Sequence, residues 1–145
     1  DLKPDYADAH FFLGNVLLQT GETDRAISHY RAALKLEPGM WRAMGNLGGA
    51  LYAAGRYDEA LGQLNAAVRL KPDYADAHSN LGLVLAALGR LDEAVEHLRT
   101  VVRLDPGNAA AYGRIGDILD RQGKHDEARR YRLQADSLKA GAGGR

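Results

Sequence analysis

The chain holds four prolines, Pro4, Pro38, Pro72 and Pro106, each 34 residues from the next. The nine residues Leu2–His10 recur unchanged as Leu70–His78, two such periods further on. A self-similar period of about 20 to 50 residues restricts a chain to repeat architectures, in which one supersecondary unit is copied and stacked.

With repeats set at 7–40, 41–74, 75–108 and 109–142, Ala9, Ala43, Ala77 and Ala111 share position 3. Leu13, Leu47, Leu81 and Ile115 share position 7, and Leu17, Leu51, Leu85 and Leu119 share position 11. Positions 3, 7, 10, 11 and 14 are mostly apolar, at the spacing of one helical face. Gly21, Gly55, Gly89 and Gly123 at position 15 read as the end of that first helix, because glycine accepts the left-handed cap conformation. Three residues later stand Asp24, Asp58, Asp92 and Asp126. Aspartate at that place either caps a second helix or favours its first turn through the macrodipole. Proline at position 32 ends the second helix. Gly14, Gly48, Gly82 and Gly116 at position 8 fall inside the first helix, where glycine is unfavourable by about 1 kcal/mol relative to alanine. Their recurrence implies a packing reason, namely close approach of the paired helix, helped by the alanines of position 20.

Composition removes several alternatives. Lys plus Arg total 19 and Asp plus Glu total 19, so a neutral chain gives no electrostatic reason to expect nucleic acid or an anionic membrane as partner. There is no cysteine, hence no disulfide and no thiol chemistry. No apolar run approaches the roughly eighteen residues of a membrane span. No signal peptide is visible, and although nothing settles the compartment, the cytoplasm is the favoured expectation. The sequence also lacks HExxH, a phosphate-binding loop and GxSxG, and Gly45-Asn46-Leu47-Gly48-Gly49 has no strand before it to make a phosphate cradle. Ser28, Ser79 and Ser137 have no His and acid at a recognisable spacing. Glu93 and His97, four apart on an expected helix, could place two metal ligands together, but shared residue types at repeat-equivalent positions are the favoured account. The expectation is a non-enzyme with no cofactor and no metal.

These residues resemble the tetratricopeptide repeat family, whose pattern over 34 residues is W-x2-L-G-x2-Y, A-x3-F and P. Repeat one supplies His10-x2-Leu13-Gly14-x2-Leu17, Ala26-x3-Tyr30 and Pro38. His10, Met44, His78 and Tyr112 depart from the tryptophan, and leucine replaces tyrosine at position 11. The resemblance implies an all-α, right-handed solenoid of antiparallel helix pairs, with a concave face lined by the first helices. Residues 1–6 then match the tail of a preceding repeat, as though the chain were a fragment or a processed product. Residues 7–40, 41–74 and 75–108 are repeats one to three, 109–140 are repeat four with a C-terminal capping helix, and 141–145 are a flexible tail. Arg129, Arg130, Arg132 and Asp136 replace mostly apolar residues of the earlier repeats, as a polar terminal unit requires. An anion-binding patch is the competing reading of those arginines.

The resemblance further implies that the chain binds an extended peptide segment of a protein partner in its groove. The groove residues are Phe11, Asn15, Arg42, Gly45, Asn46, Gly49, Tyr52, Asp76, Ser79, Asn80, Leu83, Arg114 and Asp117. The carboxylate clamp of chaperone-binding members is matched only at Asn15 and Asn46, with Phe11, Ser79 and Leu83 where cations are needed. Asn46-Leu47-Gly48 and Asn80-Leu81-Gly82 resemble the asparagine ladder of the protein O-GlcNAc transferase superhelix, although an ordinary polar contact between helices explains them as well. Absent side chains at Gly45 and Gly49 would let another backbone approach. Phe11 and Phe12 are candidates for self-association at the N-terminal end, either as a homo-oligomer contact or as a surface packed by a missing repeat, and an anchor pocket is the alternative. The competing functions are a structural scaffold unit or the accessory repeats of a larger enzyme.

Overall fold

A computed structural model describes residues 4–144, and every regular element among them is an α-helix. These are α1 (Pro4–Gln19), α2 (Thr23–Leu36), α3 (Trp41–Ala53), α4 (Tyr57–Leu70), α5 (Ala75–Ala87), α6 (Leu91–Leu104), α7 (Ala109–Arg121) and α8 (His125–Ala142). The chain divides after Asn80, within α5, into two compact units. In the first, α1 packs on α2, α2 on α3 and α3 on α4; in the second, α6 packs on α7 and α7 on α8.

The link inside each pair is a Schellman turn. Gly21 adopts φ 83°, its N–H bonds to Leu18 O at 3.2 Å, and the N–H of Glu22 reaches back to Leu17 O at 2.8 Å. Gly55, Gly89 and Gly123 repeat the arrangement with φ between 74° and 76°. The link between pairs is a tight turn that places proline second, where its fixed φ is already correct: Met40 N bonds to Glu37 O at 3.2 Å around Pro38, and Tyr74 N to Lys71 O at 3.1 Å around Pro72.

Of the two roles open to the position-18 aspartates, the first-turn role is the one found. The N-cap residues are Glu22, Arg56, Arg90 and Lys124, none with a side-chain capping bond, and Asp24, Asp58, Asp92 and Asp126 lie in the first turn, where the macrodipole favours a negative charge. Two boundaries differ from the sequence reading. Helix α1 begins at Pro4, inside the stretch assigned to a preceding repeat, because proline at a first helical position sacrifices no hydrogen bond. Helix α8 continues to Ala142, two residues into the stretch expected to be a tail.

The position-8 glycines have the packing reason their recurrence implied. A Cβ added at Gly14 would lie 2.7 Å from the Tyr30 ring, one at Gly48 2.6 Å from Leu64 Cδ2, and one at Gly82 2.7 Å from Leu98 Cγ. Each meets position 24 of the paired helix, whose Tyr30, Leu64 and Leu98 are fully buried. In the last pair that position is Arg132, an exposed residue whose Cγ lies against Gly116.

Candidate functional site

Helices α1 and α3 bring two expected groove residues into direct contact. Asn46 Nδ2 donates to Asn15 Oδ1 at 2.7 Å, and the buried Tyr30 hydroxyl donates to the same oxygen at 2.8 Å. Burial pushes the Tyr30 phenol above its ordinary pKa. An amide offers two donors and an acceptor with two lone pairs. The Asn15 NH2 and the Asn46 carbonyl therefore remain unclaimed by other side chains among the described residues.

One helical turn earlier, Phe11 on α1 and Arg42 on α3 line a cleft of about 270 Å³, together with Asp8, Phe12, Glu37, Gly39, Met40 and Trp41. Phe11 is buried and its ring meets those of Phe12 and Tyr30 at centroid distances of 5.4 and 6.2 Å. Arg42 stands 5.0 Å over the face of Trp41, the chain's single tryptophan, in a cation–π contact. Trp41 meets Tyr74 edge-on at 4.8 Å. Asp8 and Glu37 are exposed, and neither makes an ion pair among the described residues. The sequence reading missed Trp41, Met40 and Glu37 because they lie in or beside the proline turn, outside the helical positions that define the groove.

Gly45 corrects the expectation of bare backbone. A Cβ there would lie 2.5 Å from Tyr74 Cε1, so the space left by the missing side chain holds the Tyr74 ring. Gly49 faces the side chain of Asn80, whose Nδ2 would lie 3.1 Å from an added Cβ. Tyr52 packs against Tyr57 at 5.7 Å, Asp76 is exposed and Ser79 is half-buried. Phe11 corrects another expectation. It is a core residue, whereas the exposed apolar surface of α1 comprises Tyr6, Phe12, Leu13 and Val16. The counterparts of Leu13 in the other repeats, Leu47, Leu81 and Ile115, are at most 1% exposed, and Leu13 is 43% exposed.

Leu83, Arg114 and Asp117 belong to the second unit. Asp117 is exposed, and Arg132 crosses from α8 to donate to it at 2.8 Å and also pairs with Asp120. The His125 Nδ1 lies 2.8 Å from Asp120 as well, and that contact followed by Arg132 holds the Asp120 carboxyl below its usual pKa. Glu93 makes a two-toothed pair with Arg90 at 2.8 and 2.7 Å. No group of three or more potential metal-ligating His, Cys, Asp and Glu forms among the described residues, and none of their helices is long and apolar enough to cross a membrane.

Glycine-ended helix pairs, closed by proline turns and repeated every 34 residues, define a helical repeat protein. The chain belongs to the tetratricopeptide repeat family, whose model matches residues 1–40, 13–75, 47–109 and 79–142. A search of curated proteins finds no significant match. Among solved structures the chain is similar to a crystal structure of MamA, at 27% identity over 99% of this chain and 84% of the other, with a TM-score of 0.92. It is similar to a MamA fragment from Desulfovibrio magneticus RS-1, at 26% identity over 97% and 78% of the two chains, with a TM-score of 0.88. It also resembles the first tetratricopeptide domain of Spaghetti (RPAP3) bound to the HSP90 peptide SRMEEVD, at 26% identity over 83% and 96%, with a TM-score of 0.81.

Proposed function

We propose that this chain is a non-catalytic module that binds an extended segment of a protein partner along α1 and α3. One observation carries the reading: the cleft at Phe11 and Arg42 lies one helical turn before the Asn15–Asn46 pair, and residues four apart share a helix face. The cleft receives an apolar side chain against Phe11, Phe12 and Trp41. The Asn15 NH2 donates to a carbonyl of the ligand backbone, and the Asn46 carbonyl accepts from one of its N–H groups. This reads an extended conformation without reading its sequence. Asp8 and Glu37 at the rim favour a basic neighbour beside the apolar anchor. The RPAP3 relative, solved with a peptide, supports the mode of binding. The absence of the clamp cations at Phe11 and Ser79 separates the ligand chemistry from that acidic peptide.

Selection from a random peptide library tests the proposal. The expected consensus pairs an apolar residue with a basic one, and Asp8→Lys with Glu37→Lys weakens the selected peptides at least tenfold while circular dichroism stays unchanged. Selected peptides that bind this double variant as tightly as the parent overturn it.

A second reading is favoured by α1. Tyr6, Phe12, Leu13 and Val16 form an exposed apolar strip, which suits self-association at the N-terminal end. Sedimentation at rising concentration checks it: the parent associates, and Leu13→Glu with Val16→Glu is monomeric. A strictly monomeric parent refutes it.

A further inference from the structure

The open face of α1 carries Tyr6, Ala9, Leu13 and Val16 at steps of three, four and three residues, with Phe12 beside them, and all five are exposed. That spacing keeps one narrow apolar seam along a helix, the pattern by which two helices pack side by side. The equivalents of Ala9, Leu13 and Val16 in α3 are Ala43, Leu47 and Ala50, which are at most 1% exposed in a helix that packs on both α2 and α4. From Ala9 to Gln19 the chain has no Asp, Glu, Lys or Arg, so a second helix laid on the seam meets no acidic or basic side chain there.

In a second copy of the chain, the last helix is the wrong partner for this seam. Helix α2, on which α3 packs, has Ile27, Tyr30 and Leu34 at repeat positions 21, 24 and 28. Helix α8 has Arg129, Arg132 and Asp136 at those positions, all exposed. Seating the seam on α8 would bury charges against apolar atoms, which is costly unless each is paired. The α1 seam of the second copy carries no such charge. A patch that meets its own copy gives a closed two-fold pair, whereas a patch that meets a different surface gives an open series. The direction follows from the exposed Asp8. Parallel helices would set the two Asp8 carboxylates side by side, while antiparallel helices put them at opposite ends and also oppose their macrodipoles.

We propose that two copies of this chain pair through α1 in an antiparallel, two-fold arrangement, in which Leu13 of each copy meets Val16 of the other and assembly closes at two chains. This rests on the self-association of α1 and adds to it the partner surface and the end point. One helix face is a small contact, so the pair exchanges with monomer.

Sedimentation equilibrium and cysteine cross-linking test the proposal. The sequence has no cysteine, so a single replacement reports on its own position. Leu13→Cys and a size-tagged Val16→Cys, both at exposed positions, are mixed in a glutathione redox buffer at a concentration where the parent associates. A disulfide needs Cα atoms about 4.4–6.8 Å apart, so the mixed disulfide of these two variants is expected in about tenfold excess over that of Leu13→Cys with Asp136→Cys. The sedimenting mass of the parent is expected to level off at two chains. A parent that stays monomeric at every concentration overturns the pairing together with the self-association it rests on. A parent that associates but cross-links Leu13→Cys to Asp136→Cys instead, or whose mass grows past two chains, overturns the two-fold pairing and leaves self-association standing.

Discussion

Replacing Gly48 with alanine adds one methyl group in the middle of α3, where an added Cβ would lie 2.6 Å from Leu64 Cδ2. Helix propensity alone favours the change by about 1 kcal/mol. Overpacking opposes it. Leu64 is fully buried and clashes through its branch rather than a movable tip, and forcing an extra methyl into a packed core costs about 1–3 kcal/mol. With the clash at the severe end of that range, the net expectation is a loss of about 1–2 kcal/mol. At about 2–4 °C per kcal/mol for a chain of this size, the melting temperature drops by about 2–8 °C. Gly62 supplies the control within the same repeat. It sits inside α4, exposed, with no atom within 4 Å of an added Cβ, so Gly62→Ala stabilises by about 0.5–1 kcal/mol. Thermal and urea unfolding followed by circular dichroism measure both. Leu64→Ala in the Gly48→Ala background reopens the space, and a double-mutant cycle should show favourable coupling between the two alanines. A Gly48→Ala variant that melts at or above the parent refutes the steric account, leaving the recurrent glycine without its packing reason.

Tyr30→Phe removes the hydroxyl that bonds Asn15, and an unfolding measurement should show a loss of about 1 kcal/mol, the usual net value of one hydrogen bond. Burial raises the pKa of both Tyr30 and Tyr74, so the folded state holds their protons longer than the unfolded state does. The stability they contribute is complete below the unfolded tyrosine value of about 10 and is lost as pH rises from there through the folded values; urea midpoints across that range should fall less steeply in Tyr30→Phe and Tyr74→Phe. His125→Ala removes the main cause of the depressed Asp120 pKa, and carboxyl NMR titration should show Asp120 moving toward the ordinary aspartate range.

How far the sequence could be read depends on the range of the chemistry. The glycine turns, proline turns and paired helices each arise within a few residues, from the dihedral freedom of Gly21 and its counterparts and the locked φ of proline, so a single strand of text carries them. The 34-residue period then made the all-α repeat architecture legible as well. Even the glycines of position 8 announced a close contact through their cost to the helix. Their partner was not legible, because position 24 lies sixteen residues away and only the helix crossing brings it across.

The candidate site was decided almost wholly by tertiary structure. Asn15 and Asn46 were visible as amides, and their mutual bond was not, because it joins helices α1 and α3 across 31 residues of chain. Gly45 looked open until the Tyr74 ring filled it, and the ion pair that Asp117 makes with Arg132 of α8 joins residues fifteen apart. Phe11 and Phe12 are neighbours in sequence with opposite fates, one buried and one 62% exposed, since adjacent helical residues point about 100° apart and only packing chooses which of them is inside. The sequence by itself determined the repeated helix pair, because torsional preference and hydrophobic spacing act locally. The tertiary structure decided which atoms remain free to meet a partner, because burial and hydrogen bonding are settled only when distant helices come into contact.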